Sequence, residues 1–367
     1  MTKTYRVGII GRTGEGDYGH GLDTVWAEFP NIEVVAVADE NERGRAEAVK
    51  RTRAKRAYGD YREMLDRERP DIVAVAPRWT DCHRDMVLDA AQHGCHIFMD
   101  KPFCRTLEEA DEMIVACERH HVKLAIAHQT RYSPQIDRVK ELIDDGRIGD
   151  LVELRGRGKE DNRAGGEDLI VLGTHIMDLM RHIAGDASWC FARVFQNGQS
   201  VTKAEVRQGG EGIGPVAGNA ITVTYGMPQN VTAHFATAAQ REGSGGRLGL
   251  QIYGTKGVID LAIGGLPTVM LLEDSTWAPG RSRKEWTPVT SLGAGKLEPL
   301  KDGGLSMGNV LIVHDLLQAI EQDRQPRGSA YDGRAALEMI LAAYESHRLN
   351  APVELPLKNR KHPLNLL

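Results

Sequence analysis

The chain has 367 residues, with 46 lysines and arginines against 51 aspartates and glutamates and a formal charge of −5. That length exceeds one ordinary core and suits about two domains, and the charge balance excludes a global attraction to nucleic acid or to anionic membranes. No apolar run approaches the roughly 20 residues needed to span a bilayer. The five cysteines, Cys82, Cys95, Cys104, Cys117 and Cys190, include no CxxC pair and leave one over, so they read as reduced thiols of a cytoplasmic protein. The opening stretch MTKTYRVGII runs directly into a strand pattern without a signal-peptide core, and no export is expected.

In chain order, the first third alternates short β-branched runs with helical patterns. Strands are expected at Tyr5–Ile10, Ile32–Ala38, Asp71–Ala76, His96–Met99 and Lys123–Ala127. Helices are expected at Leu22–Glu28, Glu42–Arg53, Tyr61–Arg67, His83–His93 and Leu107–His120. Thr106 and Glu109 have the spacing of a capping box, and Gly94 stands where a C-terminal cap glycine belongs. This rhythm implies βαβ units and a parallel, doubly wound Rossmann sheet, in which ligands sit at the carboxyl ends of the strands.

The first strand ends in GIIGRTGEGDYGHGLDTVW. A dinucleotide fingerprint, G-x-G-x-x-G, would fall on Gly11, Thr13 and Gly16, with threonine in the second glycine's place and a loop about one residue too long. Gly11, Arg12, Thr13, Gly14 and Gly16 are the candidate cofactor-binding residues. A loop that follows the first strand and opens a helix places N–H groups and the helix dipole toward a pyrophosphate. The second strand ends at Asp39, 23 residues after Gly16. A carboxylate there accepts hydrogen bonds from the ribose hydroxyls and repels a 2′-phosphate. Loop and acid together point to NAD, with NADP kept as the alternative by nearby Arg43. Alone, the loop reads equally as a surface turn and Asp39 as a helix cap.

The strand His96–Met99 ends in Asp100, Lys101 and Pro102, at the edge where the nicotinamide is expected. Proline restricts the preceding lysine to an extended conformation and fixes its direction. A fixed ammonium there holds a substrate hydroxyl and stabilises the alkoxide formed as a hydride leaves. In isolation the same tripeptide reads as a surface ion pair.

The remainder changes texture. Strand-like runs follow at Leu151–Arg157, Phe191–Asn197, Ala220–Tyr225, Val231–Thr237, Leu248–Tyr253, Val258–Ala262 and Val269–Glu273, several separated by glycine-rich links such as GGEGIGPVAG and EGSGG. One helical pattern, Asp168–Ile183, lies early, and two more, Met307–Gln322 and Gly333–Arg348, lie late. This describes an α+β domain on a large, mostly antiparallel open sheet. The expected division is 1–127 for dinucleotide binding and 128–367 for substrate binding and oligomerisation. The 13 histidines show no HExxH or other dense ligand spacing, and no catalytic metal is expected.

As a set, the motifs resemble the Gfo/Idh/MocA oxidoreductase family over nearly the whole chain. Asp100-Lys101-Pro102 resembles its Glu-Lys-Pro motif with a shortened acid, followed by RTLEEADEMIVACERHHVKLAIAHQTRYSP. VAPRWTDCH resembles the family's Thr-Pro-Asn segment near the cofactor and brings in Pro77. GGEDLIVLGTHIMDLM resembles the helix lining the substrate site, and IYGTKGVIDL a later hairpin. The resemblance implies catalytic roles for Lys101 and His175 and a substrate contact for Asp178; Asp168 is a further substrate candidate, and Arg131, just after the last Rossmann strand, is another by its position. Read alone, His175 is a packing histidine, and Arg131 is equally a structural arginine. The family's aspartate four residues before this histidine is replaced by Val171, leaving Asp178, Asp168 and Asp161 as the carboxylates that remain for it. Tyr18 and Trp79 read as cleft walls or as packing residues. The implied activity is NAD(H)-dependent hydride transfer with a secondary alcohol of a sugar, polyol or related carbohydrate, in a homodimer or homotetramer formed through the C-terminal sheet. The alternatives are redox-neutral, NAD-dependent glycoside cleavage and a catalytically impaired NAD-binding sensor.

Overall fold

A computed structural model describes residues 3–239, 247–264, 266–300 and 304–367; the EGSGG link lies outside them. The chain forms two compact units. The first comprises Met1–Gln129, Gly210–Gly214 and Leu305–Arg334, and the second Thr130–Gly209, Pro215–Gly304 and Ala335–Leu367. The expected division at 127/128 is a single cut, whereas the chain returns to the first unit twice.

The first unit opens with β1 (Tyr5–Ile10), β2 (Ile32–Ala38) and α1 (Glu42–Thr52), then β3 (Arg56–Tyr58) and α2 (Tyr61–Glu68). β4 (Ile72–Val75), α3 (His83–Gln92), β5 (His96–Met99), α4 (Leu107–Arg119) and β6 (Leu124–Ile126) follow. The six strands pair in the order β3-β2-β1-β4-β5-β6, all parallel. The order reverses between β1 and β4, which puts the switch point at the end of β1. β4 and β6 are buried throughout, as strands covered on both faces require. The short strand β3 was not expected from its polar, lysine- and arginine-flanked sequence.

The expected helix Leu22–Glu28 does not form. The chain turns through residues 13–24 and makes only a four-residue 3-10 turn at Val25–Glu28. Gly14, Gly16, Gly19 and Gly21 have φ of 90°, 99°, 61° and 85°, and Asp17 also has φ of 53°. These left-handed residues keep the loop turning where a helix would need right-handed backbone. The cap at Thr106 is half of the expected box: its hydroxyl accepts from the Glu109 N–H at 3.1 Å, while the Glu109 carboxylate takes the Arg105 N–H at 2.9 Å. Gly94 has φ of 74° just past α3, as a terminating glycine should.

The second unit begins with a helix the sequence reading missed, α5 (Pro134–Asp144), which starts with proline in its first turn. β7 (Leu151–Arg157), α6 (Gly166–Val171) and α7 (Gly173–Ala184) follow, so the expected helix Asp168–Ile183 is two helices joined at Leu172. Next come β8 (Trp189–Gln196), β9 (Gln199–Ser200), β10 (Arg207–Gln208), β11 (Pro215–Val216), β12 (Ala220–Gly226) and β13 (Thr232–Ala238). β14 (Gly249–Gly254), β15 (Gly257–Ala262), β16 (Thr268–Leu272), α8 (Pro279–Ser282), β17 (Thr287–Thr290) and β18 (Gly293–Ala294) complete the run, and β19 (Val353–Glu354) adds at the far edge. The large sheet is antiparallel except at the β7–β13 pair, which is parallel. β13 alternates buried and half-buried residues along its whole length, so one face belongs to the core.

The chain rejoins the first unit at α9 (Leu305–Glu321), which packs on β5 and β6. Gly328 and Ser329 then close the open edge of β6: the Ile126 N–H donates to the Gly328 carbonyl at 2.9 Å and Ala125 bridges Ser329. α10 (Ala330–Leu349) begins in the first unit and ends in the second.

Candidate active site

In the first unit, Lys101 stands at the end of β5, while three of the residues expected to hold a cofactor, Gly11, Arg12 and Asp39, come together at the carboxyl ends of β1 and β2. A cavity of about 230 Å³ lies there, lined by Gly11, Arg12, Asp39, Asp81 and Cys82 among others. The Arg12 guanidinium lines it and donates to both oxygens of Asp81 at 2.9 Å. Larger cavities, about 550 Å³ on the second unit's sheet and about 610 Å³ beside Phe29 and His314, are lined by none of the expected site residues.

Asp39 is buried and engaged within its own unit. It accepts from the Thr13 N–H at 3.1 Å, the Thr13 hydroxyl at 2.6 Å and the Asn41 N–H at 2.9 Å. The acid expected to meet a ribose therefore also fixes the loop, and threonine in the second glycine's place supplies the hydroxyl that does this. With no helix behind the loop, the expected helix-terminus site for a pyrophosphate is absent. Several loop N–H groups turn inward: Arg12 and Asp17 bridge each other, and the Gly14 N–H donates to the Asp17 carboxylate at 2.9 Å. Arg43 is exposed and pairs with Glu47. Tyr18 is a packing residue: its ring lies against Gly11, where a Cβ would come within 2.2 Å, and under the Arg51 guanidinium. Burial and the neighbouring Asp39 push the Tyr18 phenol well above its usual range. Trp79 gives its backbone N–H side to Gly16, which has no space for a side chain there.

Asp100 and Lys101 stand at the end of β5, and both are buried. Burial alone would raise the Asp100 carboxyl, but the His20 imidazole and the Lys101 charge and N–H outweigh it and hold the group below its usual value. His20 Nδ1 lies 2.8 and 3.1 Å from the two Asp100 oxygens. Pro77 is tied to the same region by His83. One His83 ring nitrogen is 2.7 Å from the Pro77 carbonyl oxygen, and the other is 3.0 Å from that of Pro102. His20 and His83 were both missed as site residues. His83 was legible as the first residue of the helix after the Pro77 segment; His20 carried no spacing signal.

In the second unit, α7 carries His175 and Asp178, three residues apart on one helical face. Asp178 is buried and pairs with the Arg131 guanidinium, so two residues expected to touch a substrate meet each other. Asp168, expected as a substrate ligand, is fully buried on α6 and engaged by the loop before it. It accepts from the Lys159 and Glu160 N–H groups at 3.1 Å each and from the Thr237 hydroxyl at 2.6 Å. Burial raises its carboxyl despite these donors. Asp161 accepts from the N–H and guanidinium of Arg163, which lowers its carboxyl. The break at Leu172 puts Asp168 and His175 on different helices, and Val171 is a buried apolar residue. Among the described residues, no group of three or more His, Cys, Asp or Glu could hold a metal ion, and no helix is long and apolar enough to cross a membrane.

Residues 5–128 match the family model described as "Oxidoreductase family, NAD-binding Rossmann fold", and residues 140–355 match "Oxidoreductase family, C-terminal alpha/beta domain". The levoglucosan dehydrogenase of Pseudarthrobacter phenanthrenivorans is 26% identical over 95% of this chain and 98% of its own. The D-apiose dehydrogenase of Paraburkholderia graminis is 35% identical over 44% of this chain and 46% of its own. The solved structure of a levoglucosan dehydrogenase in complex with NADH superposes with a TM-score of 0.78 at 22% identity, covering 96% of this chain and all of that one.

Proposed function

This chain belongs to the Gfo/Idh/MocA oxidoreductase family, and from that premise we propose how its residues divide the reaction. The protein is an NAD-dependent oxidoreductase that moves a hydride between nicotinamide and a secondary alcohol of a sugar, polyol or related carbohydrate. The observation that carries the cofactor assignment is the cavity at the carboxyl ends of β1 and β2, where Gly11, Arg12 and Asp39 converge. Gly11, Arg12, Thr13, Gly14 and Gly16, with Asp39, Pro77 and Lys101, hold the dinucleotide. Asp39 favours NAD over NADP because a 2′-phosphate would meet a buried carboxylate.

NAD, when bound, supplies the hydride acceptor. His175 removes the hydroxyl proton, with the aliphatic Val171 standing one turn earlier where the family has an aspartate. Lys101 stabilises the oxygen as negative charge develops on it. Asp178 and Arg131 offer a buried acceptor and donor pair suited to sugar hydroxyls. Asp168 fixes the 158–165 loop, a role we assign it in place of direct substrate contact. Cofactor binding falls to residues 1–127 and substrate binding to 128–367, with the later returns of the chain completing the first unit. The exposed Trp189, Phe191 and Val152 on β8 and β7 support a homodimer or homotetramer through the sheet, and five free cysteines support a cytoplasmic setting.

A panel of anhydrosugars, pentoses, hexoses and inositols, followed at the NADH absorbance band, tests the reading. NADH build-up with one class is the expected result. Sugar release without NADH would replace it with redox-neutral cleavage, and cofactor binding without turnover on any member would replace it with a sensor.

A further inference from the structure

Two departures from the family pattern meet inside the first unit. The acid before Lys101 is one methylene shorter than the family's glutamate, and the loop after β1 is about one residue longer than the fingerprint. The loop makes its extra turn directly onto the shortened acid. Gly19 has φ of 61°, and a Cβ on it would lie 2.4 Å from the Asp100 Oδ2 and 2.5 Å from the Ala76 carbonyl oxygen. No residue but glycine satisfies both constraints, the left-handed backbone and the missing space. The next residue, His20, thereby brings Nδ1 onto the fully buried carboxylate, 2.8 Å from its Oδ2. Asp100 Oδ1 in turn accepts the Lys101 N–H at 2.8 Å. His20 is itself anchored. Its carbonyl accepts from the Asn309 Nδ2 at 2.9 Å, and the Asn309 Oδ1 accepts from the Gln129 Nε2 at 3.0 Å. A continuous chain of hydrogen bonds thus runs from α9 through the dinucleotide loop to the backbone of Lys101.

We propose that His20 is a positioning residue for Lys101: the lengthened loop replaces the reach lost with the shorter acid, and the dinucleotide loop and the Lys101 strand end move as one piece. The proposal rests on the role of Lys101 in hydride transfer given above. A charge-assisted hydrogen bond to a buried carboxylate is among the stronger and more directional side-chain contacts, which suits it to fixing a neighbour. His20 acts through Asp100 and need not touch the substrate.

Three measurements on the full chain test this. In a double-mutant cycle, His20→Ala should lower kcat about tenfold or more, yet cost under about threefold once Lys101→Met is present, because both act through one group. The NADH dissociation constant, read by fluorescence, should stay within about threefold. Additive losses in the cycle would overturn the proposal. Independently of any activity, acetylation of Lys101 by limiting acetic anhydride, followed by peptide mass analysis, should speed up several-fold in His20→Ala; an unchanged rate overturns it. Asp100→Glu, which keeps the charge and serves if the alanine variant fails to fold, should also lower kcat and speed acetylation, since the added methylene runs into Gly19. If Asp100→Glu behaves as the wild type in both, the loop and the acid are not coupled. Because acetylation needs no turnover, an enzyme inactive on every carbohydrate would defeat the functional reading while leaving this inference decided by the labelling rate.

Discussion

The two units bury their acids to different ends. In the first, the sheet is parallel and covered on both faces, and two buried carboxylates at strand ends, Asp39 and Asp100, each grip the same glycine-rich loop. In the second, one sheet face is half-exposed and the functional acids ride on helices, Asp168 holding a loop and Asp178 holding Arg131. Strand ends are placed by topology, so a motif there reveals its location. A helical residue is placed by the particular loop packed against it, and its role changes with the loop.

That contrast can be broken most forcefully at the chemistry. His175→Ala should lower turnover by about 10² or more while NAD still binds, and Lys101→Ala should do the same from the other unit, as for loss of a transition-state donor. Near-wild-type turnover in either variant removes that residue from the mechanism. In stability rather than turnover, Arg131→Met takes the guanidinium from the buried Asp178 and should cost roughly 3 kcal/mol in urea unfolding. A loss under about 1 kcal/mol would mean that Asp178 is neutralised by other neighbours. Asp39→Ser removes both the 2′-phosphate repulsion and the anchor of Thr13, so the ratio of NAD to NADP affinity should fall by about tenfold. Equal wild-type affinities for the two dinucleotides would sink that assignment.

A pH dependence supplies a further test within the second unit. His362 is buried, and burial lowers its pKa to about 4. Its neutral form is the one the fold accepts. As pH falls from the unfolded histidine value of about 6.5 toward 4, the unfolded chain gains a proton that the folded chain does not, and stability drops by up to about 1.4 kcal/mol per pH unit. His362→Leu should flatten that slope in denaturation curves taken between pH 7 and 5, and an unchanged slope would assign the acid sensitivity elsewhere.

Much of this architecture was written in hydrophobic period. β1, β2 and β5 fall on the residues expected, because continuous β-branched runs specify strands buried on both faces. The loop 11–24 misled because glycine spacing resembled a fingerprint while its left-handed backbone angles, invisible in sequence, ruled out the helix. Lys101 was legible through the proline that follows it. His20 and Asn309 were not, since they meet across 289 residues of chain and neither stands in a periodic pattern. The loop that Asp168 holds was not legible, because the Lys159 and Glu160 N–H groups it accepts from leave no trace in residue identity. The helix α5 was missed although Ser133 and Pro134 form a usable start signal.

The closure of β6 by Gly328 and Ser329, with α9 laid over β5 and β6, has a consequence for biosynthesis. A ribosome releases all six strands of the nucleotide-binding sheet long before it makes the segments that cover and terminate that sheet. At about 5–20 residues per second, roughly ten seconds or more pass between them. Throughout that interval the nascent sheet presents an unpaired edge and a bare apolar face, the surface that invites strand addition and draws chaperones. An amino-terminal fragment ending after β6 would keep that exposure permanently, and so should aggregate where the full chain does not.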